Sequence, residues 1–380
     1  MVEQGEKGRL LESENAVQKT RCILISGFFG AGKTTAIAKL GAYIERKGMQ
    51  VSIITNDQGQ ELVDSAALRA RGFEVNEVDA GSIDHSLNPW AEATRKMAQS
   101  PCVKVVITEP GGSTADLRNA ITNPLLKTHP DSYMVAPLTV MLDPARLARV
   151  FGIEPGQGFS DSINYLYRKQ LEEADCIVLN KIDLISQSRL HLLNDLIKKH
   201  HPRARIFWVS AQSGEGLTDW FDFLLSEELE PRTRIDFDYD LYQQAATKLG
   251  WLNCSVRLSS VKYWDSGRMV MELASSMHNM LRTERAEIAH LKMNFTPEEL
   301  DGSSASVNVT RNDAVPELSV APGEPVQSGT LLLNARAEAD PELLHASFNR
   351  ALLAVAEKNP HLFARLEHCE HFRPIHIHPS

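Results

Sequence analysis

The chain has 380 residues, enough for two domains, and its 43% hydrophobic and 23% charged residues are typical of a folded protein. A formal net charge of −9 argues against a general nucleic-acid or anionic-membrane binder, because either would favour a basic face. No apolar run is long enough to cross a bilayer, and residues 1–20 are polar without a secretory signal. We therefore expect a disordered lead at residues 1–20, a cytoplasmic protein, and no nucleic-acid or membrane partner.

Between residues 21 and about 225, apolar strand-like runs alternate with helical patterns. Several runs are almost continuous in Val, Ile and Leu, as in strands buried on both faces of a parallel sheet. The alternation predicts an α/β domain over residues 21–228, with a doubly wound, mostly parallel sheet that binds ligands at the carboxyl ends of its strands. The predicted strands are Cys22–Ser26, Val51–Thr55, Phe73–Val78, Val103–Thr108, Pro137–Leu142, Cys176–Leu179 and Arg205–Val209.

The pattern of residue types along the sequence changes near residues 227–232, where we predict a domain boundary. Residues 229–360 mix strands with two helices, which predicts a smaller α+β C-terminal domain. A loop rich in Pro, Gly and Ser is expected at residues 311–328, and a His-rich tail at residues 361–380. The predicted elements are strands at Trp251–Ser259, Ile288–Asn294, Ala305–Thr310 and Thr330–Ala337, and helices at Gly267–Leu281 and Pro341–Lys358.

The first strand runs into a Gly-x-x-x-x-Gly-Lys-Thr loop, and a helical pattern follows. Glycines let several backbone N–H groups point at one anion, and the positive end of the helix faces the same spot. Lys33 supplies a cation for the outer phosphates, and the hydroxyl of Thr34 is a ligand for Mg²⁺. This P-loop predicts binding of a nucleoside triphosphate. Its predicted nucleotide-binding residues are Gly27, Gly30, Ala31, Gly32, Lys33, Thr34 and Thr35.

A second motif indicates which base is bound. Asn180-Lys181-x-Asp183 directly follows one apolar strand, and Ser210-Ala211 follows the next. The carboxylate of Asp183 can accept hydrogen bonds from the N1–H and the exocyclic amine of guanine, a donor pair that adenine lacks. We expect Lys181 to lie along the ring, Asn180 to brace the loop, and the segment at Ser210 and Ala211 to offer a backbone N–H to the guanine oxygen. The motif predicts GTP as the nucleotide.

A third motif, Glu109-x-x-Gly112, ends the strand that begins at Val103. An acid at the end of a central strand is placed to hold a water molecule on Mg²⁺, and the N–H of Gly112 can reach the γ-phosphate. Most GTPases carry Asp-x-x-Gly at this point, so the glutamate is unusual.

Together these motifs resemble the CobW/HypB/UreG group of GTPases, and within it the CobW-type proteins. The resemblance covers residues 21–225 and also rests on Asn56-Asp57-Gln58-Gly59. It implies a GTPase domain followed by a small C-terminal domain, with GTP and Mg²⁺ as cofactors. It also implies that Thr34 and Glu109 hold the Mg²⁺, that Asp57 lies in the mobile switch, and that Lys33, Glu109 and Asp57 serve catalysis.

In this group, GTP binding and hydrolysis are coupled to delivering a metal, or to maturing a metal- or cobalamin-dependent enzyme. The resemblance therefore implies a GTP-hydrolysing switch whose partner is a client metalloenzyme or corrinoid protein. The sequence shows no obvious water-orienting Gln or arginine finger, so intrinsic hydrolysis is expected to be slow. Homodimerisation or the client would then complete the active site.

The chain differs from CobW-type proteins in lacking the cysteine thiols of their metal motif. Those proteins usually carry Gly-Cys-x-Cys-Cys where this chain has Gly81-Ser82-Ile83-Asp84-His85. Soft thiolates select Zn²⁺ or Cu⁺, so their absence removes the main argument for such cargo. Ser82, Asp84 and His85 could form a harder, weaker site for a second, transition metal, with Asp84 and His85 as its main ligands, or the loop could contact a partner and hold no metal. The five cysteines show no C-x-x-C spacing, and we expect them to be reduced.

Histidines are concentrated near the C-terminus, which offers a further set of candidate ligands. This cluster contains His361, His368, Cys369, His371, His376 and His378. It predicts either a metal-collecting tail or a solvated or docking tail. Two other functions therefore stand beside the switch: a metal-carrying chaperone using Asp84, His85 and the tail histidines, and an ATP-using P-loop enzyme such as a small-molecule kinase.

Overall fold

The computed structural model describes residues 19–55, 63–78, 89–98, 102–128, 131–156, 158–229, 235–298, 304–320 and 324–374. Within these ranges two sheets are present, one parallel and one antiparallel. No helix among the described residues is both long enough and apolar enough to span a membrane.

The first sheet is entirely parallel across its described strands, which are β1 (Thr20–Ser26), β2 (Gln50–Thr55), β3 (Glu74–Glu77), β4 (Val103–Glu109), β5 (Tyr133–Val135), β6 (Thr139–Leu142), β7 (Cys176–Leu179) and β8 (Arg205–Trp208). Their order is β3-β2-β4-β1-β6-β7-β8, and β5 pairs with the start of β1. The predicted doubly wound α/β fold is confirmed.

Helices cover both faces of this sheet. Those of the N-terminal half are α1 (Lys33–Arg46), α2 (Val63–Arg69), α3 (Pro89–Ala98), α4 (Asn123–Thr128, after a π-helical turn at Arg118–Thr122), α5 (Pro144–Val150), α6 (Asp161–Glu173), α7 (Gln187–His200) and α8 (Leu217–Ser226). Side chains alternate along a strand, so Ile23 packs under α1 and α8 while Leu24 packs on the other face, under α3. This two-sided burial explains why the strands are almost continuously apolar.

The second sheet is antiparallel and lies in the C-terminal half. Its described strands are β9 (Leu249–Trp264), β10 (Glu287–Pro297), β11 (Ala305–Val309), β12 (Glu317–Val320), β13 (Val326–Glu338) and β14 (Leu362–Phe372), in the order β12-β11-β10-β13-β9-β14. The remaining described helices are α9 (Tyr239–Lys248), α10 (Ser266–Thr283) and α11 (Pro341–Lys358). α10 and α11 cover one face of the sheet, where Leu273 and Phe348 are completely buried. The predicted α+β C-terminal region is confirmed.

The other face of this sheet is polar and packs toward the first domain. Cross-strand register places Lys292 beside Asn334 and His290 beside Arg336, so these four side chains share one face. Asn253 is paired with Asn334 and is completely buried on the same face. Alternation along each strand thus separates an apolar face under the helices from a polar face that meets the P-loop domain.

Three strands lie in segments for which the sequence predicted none. β5 precedes the predicted strand Pro137–Leu142, β12 falls inside the predicted loop at residues 311–328, and β14 occupies much of the predicted His-rich tail. β14 pairs with β9 along its length and forms an edge of the sheet. Its side chains alternate little in hydrophobicity because an edge strand is only partly covered. Backbone pairing with β9, which a sequence pattern does not reveal, fixes its position.

The cysteine expectation needs one correction. Cys254 on β9 and Cys369 on β14 are directly opposed in the register, with Cα atoms 4.1 Å apart, and form a disulfide. The other three cysteines are free, with Cys22 and Cys176 buried and Cys102 exposed. The two partners are 115 residues apart in sequence, so their spacing gave no indication of the pairing.

Glu173 at the end of α6 is a buried carboxyl that makes stability depend on pH. It is 1% exposed and accepts a hydrogen bond from the N–H of Leu117 at 2.7 Å. Burial raises its pKa from 4.5 to about 8, against the opposing effect of that hydrogen bond. Between these two values the folded state holds a proton that the unfolded state releases. The free energy of unfolding therefore falls as pH rises through this window.

We predict that Glu173→Gln removes this pH dependence. Between about pH 5 and pH 9, the free energy of unfolding of the variant should fall by about 1 to 3 kcal/mol less than that of the wild type. Urea unfolding at a series of pH values measures the difference. Glu172→Gln, at the exposed neighbouring position, is the control and should follow the wild type. Identical slopes for Glu173→Gln and the wild type would contradict the assignment.

Candidate nucleotide site

A cavity of ≈ 460 Å³ lies at the carboxyl ends of the parallel strands and is closed on one side by the antiparallel sheet. Most of the predicted nucleotide residues line it: Gly30, Gly32, Lys33, Thr34, Thr35, Glu109, Gly112, Asn180, Lys181, Asp183 and Ala211. Gly27, Ala31 and Ser210 lie beside these residues in the chain but are not part of the cavity wall. The three separate motifs thus meet in one place.

The P-loop has the backbone shape that an anion site requires. Gly32 has φ +91°, and a Cβ atom there would lie 2.3 Å from the side-chain nitrogen of Asn180, so only glycine fits. α1 begins at the next residue, with its free N–H groups at the cavity. The Lys33 ammonium donates to the carbonyl of Gly27 at 2.8 Å and is largely buried. It therefore lies where the outer phosphates would meet it.

Thr34 and Glu109 form a pair of oxygen ligands beside the loop. The hydroxyl of Thr34 donates to Oε1 of Glu109 at 3.1 Å, and Oε2 of Glu109 is buried with no hydrogen-bond partner among the described residues. Burial raises the pKa of Glu109 to about 7, and the ammonium of Lys33 opposes the shift. Hydroxyl and carboxylate oxygens are the hard ligands that Mg²⁺ prefers, so the donor set fits this ion.

Asn180 connects the phosphate end of the cavity to the base end. Its Nδ2 donates to the carbonyl of Ala31 at 2.7 Å, and its Oδ1 accepts from the N–H of Ala211 at 2.8 Å. The carboxylate of Asp183 is exposed on the cavity wall one short turn later. A guanine bound against that turn would meet the carboxylate with its N1–H and amine edge.

Lys181 and Asp143 form an ion pair at the base end that the sequence did not suggest. The Lys181 ammonium lies 2.7 Å from Oδ2 of Asp143, while Oδ1 of Asp143 accepts from the N–H groups of Ala145 and Arg146 and caps α5. Burial would raise the pKa of Asp143, but Lys181 and these hydrogen bonds hold it at about 2. The pair fixes the lysine stem beside the place of the base.

Two backbone groups predicted to meet the guanine oxygen are already engaged. The N–H of Ser210 donates to the carbonyl of Glu215 at 3.0 Å, and that of Ala211 donates to Asn180. These bonds shape the loop between β8 and α8. Gln212 follows them on the cavity wall, and its carbonyl accepts from Lys39 at 2.8 Å.

The wall formed by the antiparallel sheet was not predicted. His290, Lys292, Asn334 and Arg336 all line the cavity. Burial lowers the pKa of His290 to about 3, so its imidazole is neutral, and its Nε2 has no hydrogen-bond partner among the described residues. The signal in the sequence was a period of two, His-x-Lys-x-Asn on one strand and Asn-x-Arg on another, which places polar groups on one face of otherwise apolar strands.

This wall also holds the start of α2. Lys292 forms an ion pair with Asp64, and the N–H of Val63 donates to Oδ1 of Asn334 at 2.8 Å. The ion pair lowers the pKa of Asp64 although burial opposes this. Val63 and Asp64 at the start of α2 also form the end of the segment predicted to be the mobile switch. Asp57 in that segment, and the candidate metal ligands Asp84 and His85, lie outside the described residues.

Arg146 on α5 secures the contact between the two halves. Arg146 is 4% exposed, and its guanidinium donates to the carbonyls of Ile288 and Ala289 at 3.3 Å and to that of Thr310. Gly30 of the P-loop contributes by its lack of a side chain. A Cβ atom there would lie 2.7 Å from the methyl group of Thr310. The antiparallel sheet therefore packs directly on the phosphate loop.

Comparison with known proteins agrees with this geometry. Residues 21–208 match the nucleotide-binding domain of CobW/HypB/UreG proteins. A zinc chaperone CobW of Pseudomonas aeruginosa is 24% identical over 214 residues, which is 50% of this chain and 56% of that protein. A zinc-regulated GTPase metalloprotein activator of Dictyostelium discoideum is 23% identical over 233 residues, 50% of this chain and 45% of that protein.

The chain thus spans about half the length of these relatives. Among solved structures, HypB from Helicobacter pylori in complex with nickel has a TM-score of 0.39 and 18% identity, covering 55% of this chain and 86% of that one. The match of residues 21–208 includes the P-loop, Glu109 and Asn180-Lys181-x-Asp183, the motifs that meet in the cavity. The nucleotide-binding domain of this chain belongs to the CobW/HypB/UreG family.

Proposed function

We propose that this chain is a GTP-binding and GTP-hydrolysing switch that uses Mg²⁺ and assists the maturation of a metalloenzyme. One observation carries the proposal: a single cavity holds a phosphate loop, an oxygen-ligand pair and a carboxylate suited to guanine, and a second domain closes it. The names of the relatives, a zinc chaperone and a metalloprotein activator, support the link to metals. The client, a metalloenzyme or a corrinoid-dependent protein, is part of the proposal.

In this proposal each group of residues has a separate task. Lys33 and the N-terminus of α1 bind the phosphates, and Thr34 with Glu109 holds the Mg²⁺, which offsets negative charge on the β- and γ-phosphates when bound. Asp183 selects guanine, and Asn180 keeps the two loops at a fixed separation. The N–H of Gly112 would meet the γ-phosphate, and Asp57 would act from the switch.

The contacts of α2 suggest how the nucleotide state is passed on. Asp64 and Val63 lie at the end of the switch segment, and both are held by the antiparallel sheet. Binding of a γ-phosphate would order the switch and change the force on these two contacts. Loss of the phosphate would remove that force. We propose that these two contacts transmit the nucleotide state to the C-terminal domain. That domain would in turn transmit it to the client or to a second copy of the chain.

Two other functions remain as outcomes of the tests. A metal-carrying chaperone would use Asp84, His85 and the C-terminal histidines for transport, with GTP in a secondary role. An ATP-using P-loop enzyme would show no preference for guanine at Asp183. The exposed carboxylate of Asp183 on the cavity wall favours guanine, since adenine offers no donor pair to it.

Asp183→Ala tests the choice of base. We predict that GTP affinity falls by about 100-fold while ATP affinity stays within about threefold, because two hydrogen bonds to a charged acceptor are lost only for guanine. Competition against a fluorescent GTP analogue measures both. Asp183→Asn should favour xanthosine triphosphate, whose C2 carbonyl can accept from the new amide. Asp195→Ala, on the exposed side of α7, is the control. Equal losses of ATP and GTP affinity in Asp183→Ala would favour an ATP-using enzyme.

Thr34→Ala tests the Mg²⁺ site. Removal of the hydroxyl leaves Glu109 as the protein ligand, so we expect the Mg²⁺ concentration for half-maximal phosphate release from GTP to rise about tenfold or more. Thr34→Ser keeps the hydroxyl and should restore the wild-type requirement. The measurement is the rate of phosphate release as Mg²⁺ is titrated. The same Mg²⁺ dependence in Thr34→Ala and the wild type would remove Thr34 from the site.

Lys292→Met tests the connection between α2 and the sheet. The variant leaves Asp64 without its ion-pair partner. We predict that the difference in hydrogen–deuterium exchange of β10 and β13 between GTP-analogue and GDP complexes falls to less than about half of the wild-type difference. Lys262→Met, at an exposed position of β9, serves as the control. An undiminished difference in Lys292→Met would show that the nucleotide state travels by another route.

A further inference from the structure

Strand β14 carries a histidine onto the helical face of the antiparallel sheet. His371 is paired with Leu252, whose side chain lies in the core under α10 and α11, so both side chains point to that face. There Nε2 of His371 lies 2.9 Å from Oε1 of Glu342. The ring of His371 stacks on the ring of His345, with centroids 4.5 Å apart and planes at 6°.

The two partners come from one surface of α11. Glu342 and His345 are three residues apart in the first turns of the helix, so their side chains are neighbours. Asp340 caps this helix by accepting from the N–H of Glu342 at 2.9 Å. Glu-x-x-His at this spacing is a pattern that places a carboxylate and an imidazole toward one ion. One atom from each of Glu342, His345 and His371 lies within 4.8 Å of the other two.

From this placement we propose that Glu342, His345 and His371 form a binding site for a divalent transition-metal ion, Zn²⁺ in the first instance. Two imidazoles and one carboxylate are three of the four ligands of an open zinc site, and solvent or a client ligand would supply the fourth. The Glu342 side chain is 77% exposed, so an ion can reach the site from solvent. The ion would replace the hydrogen bond between His371 and Glu342. One of the two stacked imidazoles would also turn out of the stack, because each ring must point a nitrogen lone pair at the ion from within its own plane.

Neighbouring contacts bear on the proposed ligands. Asn349, one turn beyond His345, has its side-chain amide 3.0 Å from Nε2 of that ring. With the amide turned to present its oxygen, Nε2–H of His345 would donate to it and Nδ1 would be the ligand atom. Arg373 ties the end of β14 to the start of α11, donating to Oδ2 of Asp340 at 3.3 Å and to the carbonyl of Thr247 at 2.5 Å. The strand and the helix are therefore held together before any metal binds.

The site is separate from the nucleotide cavity. His371 lies on the helical face of the sheet, whereas Arg336 and Asn334 face the cavity from the other side. It is also free of thiol ligands, because Cys369, which shares the helical face of β14, is bonded to Cys254. Imidazole and carboxylate without thiolate favour Zn²⁺, Ni²⁺ or Co²⁺ over Cu⁺.

The test is equilibrium titration of the metal-free full-length chain with Zn²⁺ in competition with a chromophoric chelator. We expect the His345→Ala/His371→Ala variant to bind one equivalent fewer than the wild type. Glu342→Gln keeps a hydrogen-bonding group at an exposed position, and its Zn²⁺ affinity should fall by about tenfold or more. His368→Ala changes the same strand on its opposite face and should match the wild type. Unchanged stoichiometry and affinity in both ligand variants would overturn the proposal.

Two further readouts separate this site from other effects. The GTP affinity of each variant, measured on the same samples, should stay within about threefold of the wild type, which shows that the fold is intact. X-ray absorption of the first bound equivalent should show nitrogen and oxygen ligands with two imidazoles, and a sulfur shell would overturn the assignment. If the Asp183 variants show no guanine preference while Zn²⁺ still binds here, the proposed function fails and this inference stands.

Discussion

A cation that cannot reach water must find acceptors within the protein, and Arg146 finds them across the boundary between the two halves of the chain. Burial lowers the pKa of its guanidinium, and Asp143 and Glu287 act against that shift. The ring centroids of Phe28 and Phe159 lie 5.1 and 4.8 Å from the guanidinium carbon. Two carbonyls of β10 and that of Thr310, directly after β11, accept its hydrogen bonds. A shift of the sheet that removed these carbonyls without admitting water would leave a buried charge short of acceptors, which costs more than the loss of ordinary surface contacts.

The polar face of the antiparallel sheet follows from the same constraint. With the sheet held against the P-loop, His290 and Lys292 of β10 and Asn334 and Arg336 of β13 line the nucleotide cavity, and each alternates with apolar residues along its strand. The cavity is thus built from two domains, and the first turn of α2 is bound from the C-terminal side. α2 and the sheet are therefore in direct contact beside the cavity.

The sequence predicted the parts of the molecule whose chemistry is local. Gly32, Lys33 and Thr34 are adjacent in sequence, and strand, loop and helix signals surround them, so the phosphate site could be assigned from residue type and order. The continuous apolar strands likewise predicted a parallel sheet covered on both faces. These features need no knowledge of which strands pair across a long distance.

The parts that were missed depend on long-range register. Asp143 is recognisable as a helix cap from Asp-Pro, but its pairing with Lys181 needs β6 and β7 to be neighbours. His290 and Arg336 reach the cavity only because β10 and β13 pair and the sheet turns that face inward. β14 was missed because its position is set by the backbone of β9 and hardly by its own hydrophobicity. No short stretch of sequence shows which of these strands pair with each other.

The position of Asn180 has a consequence for the binding of two ligand fragments, one in the phosphate half of the cavity and one in the base half. One amide holds the carbonyl of Ala31 in the phosphate loop and the N–H of Ala211 in the base loop, so neither loop can shift without straining the other. Occupation of either half of the cavity then pre-organises the empty half. Pyrophosphate and guanosine, offered as separate molecules, should each raise the affinity of the protein for the other. The gain in affinity from occupying both halves of the cavity would thus come partly from the protein and only partly from the covalent bond between sugar and phosphate.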